Sequence, residues 1–119
     1  MYIKNIAKMS KVLVGTEGYF GTLPDGLQMY LEKVPNTTII GLGYPISEVS
    51  EKLISGLKDN RVFLVVNDTR YKIPTSEAER KLKIINSYPK AVSLDLSGNY
   101  FKDGRSLLQE NLLFFELEK

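Results

Sequence analysis

Three short runs of consecutive apolar residues constrain the fold of this chain more than any other feature. They occupy residues 11–15, 37–43 and 61–67, are rich in β-branched side chains and show no alternation of polar and apolar positions. Such runs are typical of strands in a parallel sheet that is covered on both faces. We therefore predict that all three runs are strands of one sheet.

Amphipathic segments before and between these runs predict helices. A short helix is expected at residues 3–10, and another is expected to begin at Asp25 as its cap. The apolar stripe of this second helix falls at i, i+3, i+4 and i+7 and consists of Leu27, Tyr30, Leu31 and Val34. The next helix is predicted to take Ser47 as its N-cap. Its buried face is predicted to be Val49, Leu53, Ile54 and Leu57.

A further helix is predicted to begin near Thr75, where residues 76–79 have the form of a capping box. It is expected to end before Pro89 and to bury Ala78, Leu82 and Ile85. Basic residues are frequent in and around this helix, and they are Arg70, Lys72, Arg80, Lys81, Lys83 and Lys90. We interpret them as a solvated face, with contact to anionic lipid headgroups as the alternative.

The C-terminal part of the chain predicts two more strands. Residues 91–96 alternate, as in a strand with one less buried face, and residues 112–117 form a final strand expected to be antiparallel to its neighbours. Strands that alternate with helices indicate an α/β fold. We predict a single domain over residues 1–119, a Rossmann-like three-layer α/β/α sandwich. Its mostly parallel sheet has about five strands, with the C-terminal strand antiparallel.

Composition narrows the possible chemistry. The 119 residues include no cysteine and no histidine, which excludes disulfides, thiol nucleophiles, Cys/His zinc sites and histidine-based triads. The net charge of +2 is too small to indicate a nucleic-acid partner. The longest stretch without a charge, residues 34–47, contains two prolines and two glycines, whereas a membrane-spanning helix needs about 20 mostly apolar residues. No metal or cofactor is expected.

A glycine-rich turn follows the first predicted strand. Its candidate ligand-binding residues are Thr16, Glu17, Gly18, Tyr19, Phe20 and Gly21. Glycines allow backbone amides to approach a ligand, and a following helix N-terminus favours an anion. The spacing is G-x-x-G-x-x-G, which is neither the dinucleotide fingerprint nor a P-loop. We favour a tight structural turn and keep a nucleotide or sugar-phosphate site as the alternative.

A second candidate group, Asn67, Asp68 and Arg70, follows the third predicted strand. If the first and third strands are neighbours, this loop and the glycine-rich turn meet at the edge where α/β folds bind ligands. Glu17 and Asp68 would then be paired carboxylates for acid–base chemistry or a weak metal site. We favour a plainer interpretation, in which Arg70 or another cation neutralises them and Asn67 and Asp68 form an Asx turn. A phospho-receiver is disfavoured, because Gly15 and Asn67 stand where its acidic residues belong.

One segment, residues 11–31, resembles a stretch of bacterial family-39-like membrane glycosyltransferases, which are similar to dolichyl-phosphate-mannose–protein mannosyltransferases. In that family a T-E-G-x-F-G-x-x-P motif lies in a soluble domain after the last membrane helix. The motif positions in this chain are Thr16, Glu17, Gly18, Phe20, Gly21 and Pro24. Residues 35–36, 61–67 and 112–117 extend the resemblance over nearly the whole chain.

The resemblance implies a function for a larger protein. Such enzymes transfer sugar from a polyprenyl-phosphate carrier at the outer face of a membrane, with a catalytic acidic residue in a loop among the membrane helices. Nothing in this chain corresponds to that loop, so the resemblance carries over no catalytic residue. We expect a non-catalytic accessory domain on the extracytoplasmic face, with the membrane part, a glycan or acceptor, and the membrane surface as partners. The alternative is a small enzyme or binding protein for a nucleotide or sugar phosphate.

Overall fold

The structure is a computed structural model that describes residues 2–18, 33–43, 45–67, 77–95 and 112–119. In chain order its elements are α1 (Tyr2–Ala7), β1 (Val12–Thr16), β2 (Thr37–Gly41), α2 (Glu51–Gly56), β3 (Arg61–Asn67), α3 (Glu77–Ser87), β4 (Ala91–Leu94) and β5 (Leu112–Leu117). The helix predicted from Asp25 lies outside the described residues, except that Val34, the last residue of its predicted apolar stripe, is described and is buried.

The described strands form one five-stranded mixed sheet with the order β2-β1-β3-β5-β4. β1 is parallel to both β2 and β3, and Val12 is in register with Thr37 on one side and Arg61 on the other. β5 is antiparallel to β3 and to β4. The predicted α/β class, the number of strands and the antiparallel C-terminal strand are therefore confirmed. β1 and β3 are neighbours, so the condition under which their carboxyl ends share an edge is met.

Successive side chains of the central strands contribute to two apolar cores. Leu13 of β1 packs in one core with Leu53 of α2 and Ile84 of α3. Val14, the next residue, packs in the other core with Ile3 of α1. Because consecutive strand residues point to opposite faces, α1 lies over one face of the sheet, and α2 and α3 lie over the other. Each fully buried aliphatic side chain stabilises the fold by roughly 1.5–3 kcal/mol.

The two outer strands are less buried than the central ones. All five residues of β1 are buried, whereas no residue of β2 is fully buried. Both faces of β2 are nevertheless covered in part, as predicted for residues 37–43, since Ile40 packs against one core and Ile39 packs against the other. An apolar run reports hydrophobicity but not position in the sheet, and β2 lies at its edge. β4, the other outer strand, has the predicted exposed face, since Ala91 is buried and the side chain of Val92 is 40% exposed.

The start of α2 differs from the sequence prediction. Its N-cap is Ser50, whose hydroxyl accepts a hydrogen bond from the Lys52 amide at 3.2 Å, and not Ser47. Val49 is buried as predicted but precedes the helix. Its amide donates to the Ser87 hydroxyl of α3 at 2.9 Å. This long-range bond occupies the Val49 amide, which the Ser47 hydroxyl would bind if Ser47 were the N-cap.

The buried face of α3 also differs from the prediction. Ala78 is exposed and Leu82 is 59% exposed, so neither belongs to the core. Arg80 and Ile84, one helical turn apart, are instead buried at 2% and 0% exposure. Assigning Arg80 to a solvated face was therefore wrong. The helix is rotated relative to the prediction because Glu17, directly after β1, provides a buried partner for the Arg80 guanidinium. Lys83 is exposed as expected.

Candidate functional site

The carboxyl ends of β1 and β3 lie side by side at one edge of the sheet. Thr16 is in register with Val65, and the Glu17 amide donates to the Val65 carbonyl at 2.9 Å. In the strand order, β2, which follows β1 in the chain, lies on one side of the β1–β3 pair, and β4, which follows β3, lies on the other side. This edge is consequently a topological switch point, where ligands of α/β proteins usually bind.

The structure describes only part of the predicted site. Thr16, Glu17 and Gly18 follow one another at the end of β1, and Asn67 ends β3 at the same edge. The other candidates, namely Tyr19, Phe20, Gly21, Asp68 and Arg70, lie outside the described residues. The predicted pairing of Glu17 with Asp68 and the predicted Asx turn therefore remain predictions.

Gly18 continues the pairing of β1 with the β2 side of the sheet. It forms an antiparallel bridge with Gly43, with hydrogen bonds of 2.7 and 3.0 Å in the two directions. Their φ angles are 92° and 88°, a region that side chains other than glycine rarely adopt. Both glycines are thus needed for backbone geometry, in agreement with the interpretation of the turn as structural.

Thr16 uses its side chain within the sheet. Its hydroxyl donates to the Ile40 carbonyl of β2 at 3.2 Å, and the residue is only 2% exposed. Like Val12 and Val14, it belongs to the set of β1 residues that alternates with Leu13 and Gly15. Thr16 therefore supports the β1–β2 pairing and points away from the face that Glu17 occupies.

Glu17 is the central residue of the site. It is 1% exposed, and its Oε2 accepts a hydrogen bond from the Ile46 amide at 2.8 Å. The same oxygen forms an ion pair with Nη2 of Arg80. This Nη2 atom also donates to the Ile46 carbonyl at 2.8 Å. One carboxylate and one guanidinium thus hold both backbone polar groups of a single loop residue.

The Glu17–Arg80–Ile46 network joins three parts of the chain. Glu17 follows β1, Ile46 lies in the connection between β2 and α2, and Arg80 lies in the first turn of α3. A charge buried without a partner is strongly destabilising, whereas these two charges compensate each other. The network therefore fixes the positions of all three segments beside the switch point.

Burial and pairing limit the chemistry available to Glu17. A general acid or base must reach the proton it transfers, yet both charged side chains of this pair are at most 3% exposed. The plainer interpretation required Arg70 or another cation to neutralise Glu17, and Arg80 is that cation. Among the described residues, no group of three or more acidic side chains is placed to hold a metal ion.

A shallow groove of about 460 Å³ borders this network. Its wall includes Leu42, Pro45 and Ile46, together with polar residues at the start of α2 such as Ser47 and Glu48. Since Glu17 and Arg80 fix the backbone of Ile46, they also fix one wall of the groove. Glu48 is exposed.

Two members of this network were not predicted from the sequence. Ile46 takes part through its backbone, for which no sequence signal exists. For Arg80 the sequence does contain a signal of burial. Arg80 lies four residues before the buried Ile84 and therefore on the same helical face. An arginine in line with an apolar stripe, together with a glutamate directly after a buried strand, is the pattern of a buried pair.

Comparisons of the chain with protein-family models, curated proteins and solved structures returned no match. None of the helices that the structure describes is long and apolar enough to span a membrane.

Proposed function

We propose that this chain is a non-catalytic accessory domain of a membrane-embedded glycosyltransferase that uses a polyprenyl-phosphate-linked sugar. In this role it supports the membrane part or helps to bind a glycan or acceptor on the extracytoplasmic face. The proposal starts from the resemblance of residues 11–31 to such enzymes. It treats the chain as a Rossmann-like three-layer sandwich.

The observation that carries the proposal is the burial of Glu17. Glu17 is the acidic residue of the T-E-G-x-F-G-x-x-P motif, and its carboxylate is occupied by Arg80 and the Ile46 amide. Its partners explain the acidic residue as an architectural requirement, without a catalytic role. Gly18 has a similar explanation through its positive φ. Two residues of the motif thus support a structural role for this turn.

Contact with the membrane surface is the finer part of the proposal. Lys83 and Lys90 are exposed, and the apolar side chain of Leu82 lies between Lys81 and Lys83 on α3. Lysines near an anionic surface each contribute up to about 1 kcal/mol of attraction. This face of α3 would lie towards the headgroups when the domain is attached to its membrane part.

Two measurements test the proposal. The reading frame upstream of Met1 should encode several apolar segments of about 20 residues, the length that spans a bilayer. Deleting residues 1–119 from that longer protein should reduce sugar transfer from a polyprenyl-phosphate donor without abolishing donor binding. Sugar transfer by the purified 119-residue chain alone would contradict the proposal, as would an upstream frame without apolar segments.

The second candidate function is binding of a nucleotide or sugar phosphate at the switch point. It is favoured by the adjacency of the ends of β1 and β3. A thermal-shift screen with nucleotides and sugar phosphates tests it, using Gly18→Val as the site variant. Because Gly18 has a positive φ, valine strains the backbone even without a ligand. Gly43→Val is the matched control, since Gly43 has nearly the same φ on the other side of the bridge.

Binding at the turn predicts that Gly18→Val removes the ligand-induced shift and that Gly43→Val keeps it. If no ligand of either class changes the melting temperature of the unaltered chain, the second candidate is wrong. Equal loss of the shift in both variants would assign the effect to backbone strain.

A further inference from the structure

The amino ends of the three parallel strands form a polar rim at the edge opposite the Glu17–Arg80 network. Lys11, Asn36 and Asn60 each directly precede the first paired residue of β1, β2 and β3, respectively. Neighbouring strands are about 4.8 Å apart. The three residues therefore lie in a row about 10 Å long, with Lys11 in the middle. Together with Thr37, Thr38 and Asp59 they line a groove of about 500 Å³, which we call the rim groove.

Hydrogen bonds from two asparagine side chains to backbone carbonyls hold the walls of the rim groove. The Asn36 amide nitrogen Nδ2 donates to the Ala7 carbonyl, and the Asn60 Nδ2 donates to the Gly56 carbonyl, both at 3.0 Å. A carbonyl can only accept, so each of these bonds fixes which end of the amide is NH₂. Asn36 also has a φ of 59°, which asparagine tolerates better than most residues. Both amides are thus pre-oriented, and their Oδ1 atoms retain the capacity to accept hydrogen bonds.

The two charged residues of the rim groove, Lys11 and Asp59, carry opposite charges but do not form an ion pair with each other. Lys11 and Asp59 are exposed, and within the described part of the chain neither has an ion-pair partner. An anionic ligand would meet the Asp59 carboxylate, and a cationic ligand would meet the Lys11 ammonium. A neutral ligand that can both donate and accept hydrogen bonds satisfies both groups and the asparagine acceptors.

We propose that the rim groove binds a neutral saccharide through its hydroxyl groups. Each sugar hydroxyl donates one hydrogen bond and accepts others. It can therefore donate to Asp59 and to the asparagine Oδ1 atoms while accepting from Lys11 and the Thr38 hydroxyl. The choice of a saccharide among neutral polyhydroxyl ligands rests on the proposed accessory function. The site lies at the amino ends of the strands, away from the glycine-rich turn.

The test is a titration of the isotope-labelled 119-residue chain, followed by NMR, with neutral disaccharides of mannose and of glucose. Glucose 1-phosphate is the charged comparison. At least one disaccharide should bind with a Kd of about 1–10 mM, as expected for a small polar groove with few contacts. The largest shifts should occur at the amides of Asn36, Thr37 and Asn60.

Two variants and a matched control locate the binding. Lys11→Met and Asp59→Ala remove exposed side chains and should each weaken disaccharide binding about tenfold, the effect of losing one charge-assisted hydrogen bond. Lys58→Met changes an exposed neighbour that does not line the groove and should leave the Kd unchanged. An unchanged spectrum in the unaltered chain or unchanged affinity in both groove variants overturns the proposal. Tighter binding of glucose 1-phosphate also overturns it.

These outcomes are separable from those of the proposed function. If the rim groove does not bind sugars but deletion of the chain impairs the longer protein, only the rim site is wrong. If sugars bind but no membrane part is encoded upstream, the rim site stands and the accessory function fails.

Discussion

Glu17 and Arg80 are 63 residues apart in the chain and form a buried ion pair in the folded protein. The pair closes around Ile46, whose amide and carbonyl are bound by the two side chains. Since the two side chains contact each other and the same loop residue, the effects of replacing them on the free energy of unfolding should be strongly coupled.

Replacing one partner of this pair should be more damaging than replacing both. Arg80→Met leaves a buried carboxylate, and Glu17→Gln leaves a buried guanidinium. Each should lower the free energy of unfolding by about 3–5 kcal/mol. The double variant should lose less than either single variant, because it leaves no unpaired buried charge. Urea denaturation of all four proteins measures this coupling.

The matched controls for the ion pair are Lys83→Met and Glu51→Gln, which alter exposed charges on α3 and α2. Each should change the free energy of unfolding by less than about 0.5 kcal/mol. Additive losses in the Glu17 and Arg80 variants would show that the two side chains do not interact.

The orientation of α3 can be tested with two leucine-sized side chains on the same helix. Ile84 is fully buried, so Ile84→Ala should cost about 2–5 kcal/mol. Leu82 is 59% exposed, so Leu82→Ala should cost less than about 1 kcal/mol. Denaturant midpoints of the two variants provide the comparison. A reversed order would restore the helical face that the sequence predicted.

The backbone conformation at Gly43 predicts that a side chain there destabilises the fold even though there is room for it. A Cβ there would meet no atom within 4 Å, but φ is +88°. Gly43→Ala should therefore destabilise the fold by about 1–2 kcal/mol through strain alone. Gly43→Asn should cost less, because asparagine tolerates positive φ better. If thermal unfolding shows alanine and asparagine to be equally harmless, the bridge with Gly18 does not require this conformation.

A second ion pair, between Arg61 and Glu116, should behave differently from the buried one. It joins β3 to β5 through two hydrogen bonds of 2.8 Å, and the Arg61 side chain is 42% exposed. We expect a coupling energy of about 1 kcal/mol or less in a cycle of alanine variants. Salt should reduce this coupling, since the Debye length falls from about 10 Å at 0.1 M to about 3 Å at 1 M. A coupling that is large and insensitive to salt would contradict this expectation.

The central strands could be predicted from the sequence because their composition directly reflects their surroundings. β3 has the predicted bounds, 61–67, and its residues 62–66 are all buried. Local hydrophobicity is sufficient to predict the burial of a strand that has neighbours on both sides. It was insufficient to predict that β2 is only partly buried, because β2 has a similar composition but lies at the end of the strand order. Strand order depends on long-range pairing that no single segment encodes.

The location of the candidate site could be predicted only on the condition that the first and third strands are neighbours, and its contacts could not be predicted. The structure meets that condition, since the ends of β1 and β3 share an edge. The partner of Glu17 was not identified, because arginine normally indicates solvent and Arg80 was grouped with exposed lysines. Burial of a charge depends on a compensating charge elsewhere in the chain. Periodicity within one helix therefore could not reveal it.

The position of β5 has a consequence for synthesis. β5 is the last described element in the chain, yet it lies between β3 and β4 in the sheet. During translation, β1, β2 and β3 can assemble as soon as they leave the ribosome. Within the described part of the chain, β4 pairs only with β5 and must wait for it. Among the described strands, β5 is therefore the last to be synthesised and the one that joins β4 to β3.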